Sequence, residues 1–151
     1  MAPRVAWGRM FLPLLARHGL SVAGMLLFSP TASESIIYDD GWIGAFYEKT
    51  LTLSPAKNTL VIRGSHDSPA KTDVGPLTVT VLWNGKKMAK QKISQSGPFE
   101  ICTTLTGEQS TESGTLSIKS MPCFVPDLMF GNGDKRQLGF ILKGIDIQKT
   151  E

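Results

Sequence analysis

The sequence predicts an all-β fold, an antiparallel β-sandwich of the jelly-roll type, and three observations point to it. From Glu34 onward apolar residues recur with a period of two. The stretches that do so are strand-length, and Gly, Pro, Asn or Ser punctuation bounds each one. No segment after residue 34 carries a sustained helical stripe, and short antiparallel strands at this spacing suit a sandwich or barrel. A chain of 151 residues supplies one domain's worth of core.

Residues 1–33 stand apart as a signal-like or targeting-like leader, and 34–151 form the expected sandwich domain. The leader has no carboxylate, an apolar stretch from Gly19 to Phe28, and small residues at Thr31, Ala32 and Ser33. These are ingredients of an export signal cleaved near Ser33, the reading favoured here. The arginine-bearing segment with Trp7, Met10, Phe11 and Leu14 also fits an organelle transit peptide, and a misassigned start codon is a third reading. The apolar stretch falls short of the roughly 20 residues that span a bilayer, so no stable membrane span is expected in the mature chain. Export to the periplasm or cell envelope follows if the leader is a signal, and a cytoplasmic location otherwise.

The leader also holds the charge excess. Arg4, Arg9 and Arg17 precede the first acid, Glu34, and without them 13 basic and 13 acidic side chains remain. The pI near 9.0 therefore does not argue for a nucleic-acid partner.

The expected strands are "IGAFYEKTLTL" (43–53), "NTLVIRG" (58–64), "PLTVTVLW" (76–83), "KKMAKQKI" (86–93), "PFEICTTL" (98–105), "GTLSIKS" (114–120) and "QLGFILKGIDIQ" (137–148). Asn84-Gly85 supplies the two positive φ values of a type I′ turn and predicts a hairpin. Its second strand carries Lys86, Lys87, Lys90 and Lys92, with lysines on each face. That suits an edge strand guarded against self-association better than a phosphate clamp, for which arginines or interleaved aromatics would be expected.

Few residues could carry chemistry. His66 is the one histidine after the leader, and a nucleophile–base pair would need it with Ser65, Ser68 or Asp67. Loops such as "GSHDSPAK" are more often plain solvated turns. Walker A, HExxH, GxSxG and paired CxxC motifs are absent. The reading is therefore not an enzyme, with a small hydrolase a distant third that an unchanged activity in His66→Ala would remove. Cys102 and Cys123 could form a disulfide that stabilises the fold by about 3 kcal/mol, or remain two buried thiols. No cofactor and no metal are expected, although "YDDG" and "GNGD" have oxygen ligands beside glycine that could suit calcium.

Two charged motifs remain, "YDDGWIG" (38–44) and "GNGDKRQLG" (131–139). If the first and last strands are neighbours, Asp39 or Asp40 would face Arg136 with Trp42 over the junction. Asp40, Asp134 and Arg136 would then form a structural lock on the closing strand, because an arginine fork held by a carboxylate is geometrically specific. The functional alternative makes Trp42, Tyr47, Trp83, Asp39 and Asp40 a ligand site. Sugars are recognised by an aromatic face with planar hydrogen-bonding groups at its rim.

The order of Asp40-Gly41-Trp42, then Phe124-Val125-Pro126, then Asp134, Arg136, Leu138 and Gly139 resembles a small β-sandwich accessory module found beside bacterial glycosyltransferases and in other polysaccharide-assembly proteins. The resemblance spans nearly all of 36–148. It implies a non-catalytic carbohydrate-binding-like or scaffolding module whose partner is a polysaccharide or a glycosyltransferase-type protein. Two features depart from it: the leader, and the lack of a catalytic glycosyltransferase domain in these residues. The rival expectation is a purely structural protein-interaction domain.

Overall fold

The computed structural model describes residues 35–53, 57–67, 75–106 and 113–150; the leader, most of the 67–75 loop and Ser68 lie outside them. Among the described residues eight strands follow in order: β1 Trp42–Ile43, β2 Phe46–Thr52, β3 Lys57–His66, β4 Leu77–Trp83, β5 Lys86–Ile93, β6 Gly97–Leu105, β7 Ser113–Met121 and β8 Phe140–Thr150. One short helix, α1 (Pro126–Phe130), sits between β7 and β8. The strands form two four-stranded sheets, β1-β8-β3-β6 and β2-β7-β4-β5, and every strand pair is antiparallel. This order is that of an eight-stranded jelly roll, in which the chain alternates between sheets except at the β4–β5 hairpin.

Period-two burial builds the core. Along β4, Leu77, Val79, Val81 and Trp83 are buried while Thr78, Thr80 and Leu82 are only partly so. Facing them from the other sheet are Leu60, Ile62, Ile101, Leu105 and Phe140, with Ile43 from β1. Asn84 (φ 48°) and Gly85 (φ 81°) make the β4–β5 turn, and Asn84 Oδ1 accepts the Thr115 N–H at 2.8 Å. β5 is an edge strand, as its lysines suggest.

The expected strand 43–53 is two strands. β1 pairs with β8 and β2 with β7, and Gly44-Ala45 carries the chain from one sheet to the other. The switch keeps its backbone groups satisfied: Ser120 Oγ donates to the Gly44 carbonyl at 2.9 Å and the Ser120 N–H to the Ala45 carbonyl at 3.0 Å. The expected last strand starts later, at Phe140, because Leu138 pairs with Phe124 instead and the Gly139 N–H reaches the Ile43 carbonyl. A Cβ at Gly139 would collide with Ser120 Oγ, so only glycine lets these segments approach.

Candidate functional site

The first and last strands are neighbours, with Trp42 opposite Ile141 and Ile43 opposite Phe140. This register brings two loops together. The turn 38–42 is closed by an Ile37–Ile43 bridge and by the Tyr38 N–H on the Trp42 carbonyl at 2.8 Å. The loop 125–137 is closed by the Phe124–Leu138 bridge. Inside the loop, α1 begins at a proline and ends at Gly131 in the left-handed region. Asp127 Oδ1 accepts the Gly133 N–H at 2.6 Å, and the Asp127 N–H donates to the Asp134 carbonyl at 2.7 Å. Asn132 Oδ1 then accepts the Asp134 N–H at 3.0 Å.

Arg136 ties the two loops. Its Nε donates to Asp134 Oδ1 at 2.9 Å and its Nη2 to Asp134 Oδ2 at 2.8 Å, a bidentate fork. Its Nη1 donates to Asp40 Oδ2 at 2.7 Å, and its guanidinium lies 5.0 Å from the centre of the Tyr38 ring. The hydrogen bonds from Arg136 hold both Asp40 and Asp134 below the 3.8 of an unperturbed aspartate. Asp134 first, then Asp40, raises the Arg136 value. Asp39 stays exposed and takes no part in this cluster. Trp42 is partly buried, edge-to-face on Phe124 with centroids 5.6 Å apart. Three of the five guanidinium donors are thus occupied within the chain, so Arg136 serves first to hold the two loops together.

Two of the aromatic candidates are core. Trp83 is 1% exposed and Tyr47 9%. A sugar platform needs an open ring face, and Trp83 instead packs its indole over Gly114. Burial raises the Tyr47 phenol. Cys102 and Cys123 are both free thiols. Cys102 faces solvent on β6, its Sγ donating to Glu100 Oε1 at 3.4 Å, whereas Cys123 is buried with its Sγ donating to the Ser120 carbonyl at 3.5 Å. No bridge joins them. His66 ends β3 and is 3% exposed, not part of a solvated turn. Ser65 precedes it on the strand, so the two side chains point to opposite faces, and Ser65 Oγ donates to Asp67 Oδ2 at 2.9 Å. That geometry does not make a nucleophile–base pair. Among the described residues no cluster of His, Cys, Asp or Glu suits a metal, and no helix is long and apolar enough to cross a membrane.

A cleft of about 430 Å³ opens elsewhere, where β3, β6 and β8 meet, lined by Arg63, Gly64, Pro98, Phe99, Glu100 and Lys143. The β3–β8 register shifts between Arg63 and Gly64, so Lys143 is the extra residue of a bulge at the cleft's rim. Arg63 Nε donates to Glu100 Oε2 at 2.9 Å, and its Nη1 pairs with Asp146. These bonds, Glu100 first, raise the Arg63 value. Phe99 is partly buried and stands edge-to-face with Phe140, centroids 5.1 Å apart. A Cβ at Gly64 would lie 2.6 Å from Phe99 and 2.8 Å from Phe140, so the glycine makes room for this aromatic pair. Sequence reasoning missed the cleft. Gly64 reads as strand-ending punctuation, and Arg63 and Phe99 belong to strands whose pairing the sequence does not disclose.

No protein-family profile and no curated protein matches the chain. Several solved structures are similar to it, among them these three. The EclA C-terminal domain, a sugar-binding protein, is 14% identical at a TM-score of 0.48, covering 92% of this chain and 90% of that one. An acetyl xylan esterase from the rumen bacterium Butyrivibrio proteoclasticus is 17% identical at 0.46, covering 87% of this chain but 32% of that one. A family 35 carbohydrate binding module from an environmental isolate is 13% identical at 0.40, covering 86% and 93%. At these identities and scores, the ligands of those proteins are not thereby ligands of this one.

Proposed function

We propose that this jelly roll is a non-catalytic module that binds polysaccharide, with the Phe99 cleft as its sugar site. The observation that carries the reading is the cleft's chemistry. Pro98 gives it an exposed apolar wall for the C–H face of a pyranose, Phe99 packs inward beneath it on Phe140 as its floor, and Arg63, Glu100 and Lys143 set donors and acceptors at the rim for its hydroxyls. Arg63 is held in place by Glu100 and Asp146, so little ordering is left for binding. The motif order from Asp40-Gly41-Trp42 to Gly139 supports work beside a polysaccharide-assembling, glycosyltransferase-type enzyme in the cell envelope.

A second reading, a protein-interaction scaffold, is favoured by α1, where Leu128 and Phe130 are 52% and 56% exposed. A glycan-array screen of the chain beside Phe99→Ala and Trp42→Ala, each checked for folding by near-UV circular dichroism, separates the two. The expected outcome is binding that a folded Phe99→Ala weakens by about three- to tenfold, because the floor beneath Pro98 is lost. Loss in Trp42→Ala alone would move the site to the Arg136 end. Silence across the array would leave α1 as the functional surface.

A further inference from the structure

The outer face of the β2-β7-β4-β5 sheet is basic, and one irregularity aligns its charges. Pairing of β4 with β5 runs Val81 to Ala89 and then Leu82 to Lys87, so Met88 is an extra residue. Strict alternation back from Ile93 would turn Lys87 inward. The bulge instead packs Met88 and Ala89 against the core and places Lys87 opposite Leu82, in the outward row with Lys90 and Lys92. Thr80 lies between Lys90 and Lys119 of β7, and Thr78 between Lys92 and Met121. Strands about 4.8 Å apart set the Lys90 and Lys119 backbones about 10 Å from each other. A groove of about 290 Å³ runs there, its lining including Thr78, Thr80, Lys90, Lys119 and Met121.

Lys87, Lys90, Lys92 and Lys119 are exposed, and none is in an ion pair among the described residues. The one acid on this face among those residues, Glu48, accepts a hydrogen bond from Ser117 Oγ at 3.1 Å. Edge protection accounts for the lysines of β5. It does not account for Lys119, which stands on an interior strand between β2 and β4.

We infer that this face binds a linear polysaccharide carrying carboxylates along its length. Spaced ammonium groups meet spaced carboxylates, and the threonine hydroxyls between them meet sugar hydroxyls. A nucleic-acid strand, with a charge about every 3.4 Å, calls for denser positive charge, and for arginine forks or stacking rings. The groove holds neither. This surface lies on the opposite sheet from the Phe99 cleft, so the two sites stand or fall separately.

The test is calorimetric titration of the full chain with polygalacturonate, and in parallel with dextran, oligothymidylate and phosphatidylserine vesicles. Polygalacturonate is expected to bind, more weakly as salt is added. The double variant Lys90→Gln, Lys119→Gln is expected to weaken binding at least about tenfold, while the paired arginine variant and Phe99→Ala keep it within about threefold. Absent or salt-insensitive binding of polygalacturonate would overturn the inference, as would equal binding by the glutamine variant. Loss confined to Phe99→Ala would assign the acidic glycan to the cleft instead. Tighter binding of oligothymidylate or vesicles would replace the glycan with that class of partner.

Discussion

At the scale of single residues, the three charges of "DKR" where the chain returns to the core divide in two: Arg136 pairs with both Asp134 and Asp40, and Lys135 is left in solvent. Arg136→Lys keeps the charge but cannot form the bidentate fork. It should lower Tm by a few degrees, about 2–6 °C for a domain this size, in a calorimetric scan at pH 7. Both aspartates are depressed when folded, so their ionised forms favour the fold. That contribution is complete above 3.8 and is lost as pH falls through the lower folded values. The Tm gap between wild type and Arg136→Lys should therefore stay level from neutral pH to about 5 and close below 3.8. A gap that persists at pH 2 would mean that the arginine acts through packing on Tyr38 and not through its carboxylates. The pairing of Arg136 with an aspartate of the first motif was legible in the sequence, because both motifs set acids and an arginine beside strands that close a sandwich. Trp83 carried a signal that its place among the ligand candidates overlooked: it shares the phase of Leu77, Val79 and Val81, which marks it as core. Tyr47 was not, since Lys49 interrupts its phase at the edge strand β2.

At the scale of elements, turn chemistry and alternation were the readable signals, and irregularities were not. The β4–β5 hairpin follows from Asn84-Gly85 alone. Gly85→Ala puts a Cβ at a φ of 81° and should cost about 1 kcal/mol in a urea titration, with Gly85→Asn costing less because asparagine tolerates the left-handed region. Equal stability in all three would show that the turn can change type without loss. The sheet switch at Gly44-Ala45, the Lys143 bulge and the Met88 bulge leave no period-two signature, because each inserts residues out of phase. Both candidate ligand surfaces depend on such an insertion. The binding features were thus hidden where the fold departs from the alternation that revealed it.

At the scale of the whole molecule, closure of the sandwich can be followed through its two thiols. Cys123 lies just past the end of β7, buried beside Ser120, whose Oγ also holds the Gly44 carbonyl at the sheet switch. Burial pushes its thiol up to about 11, so at pH 8 it is both shielded and almost wholly protonated. Cys102 is exposed, its thiol raised by desolvation and by Glu100. Native protein should therefore release close to one equivalent of thionitrobenzoate from Ellman's reagent within minutes, and a second only at the rate at which the sheets separate. That second rate should rise in Gly139→Ala, whose Cβ would push Ser120 from the seam. Two fast equivalents would place the opening at the 122–138 loop alone. None, in native and denatured protein alike, would mean that the cysteines are bridged. One fast and one slow equivalent would make Cys123 a reporter of the joint between β1, β7 and β8, where the ends of the domain are fastened together.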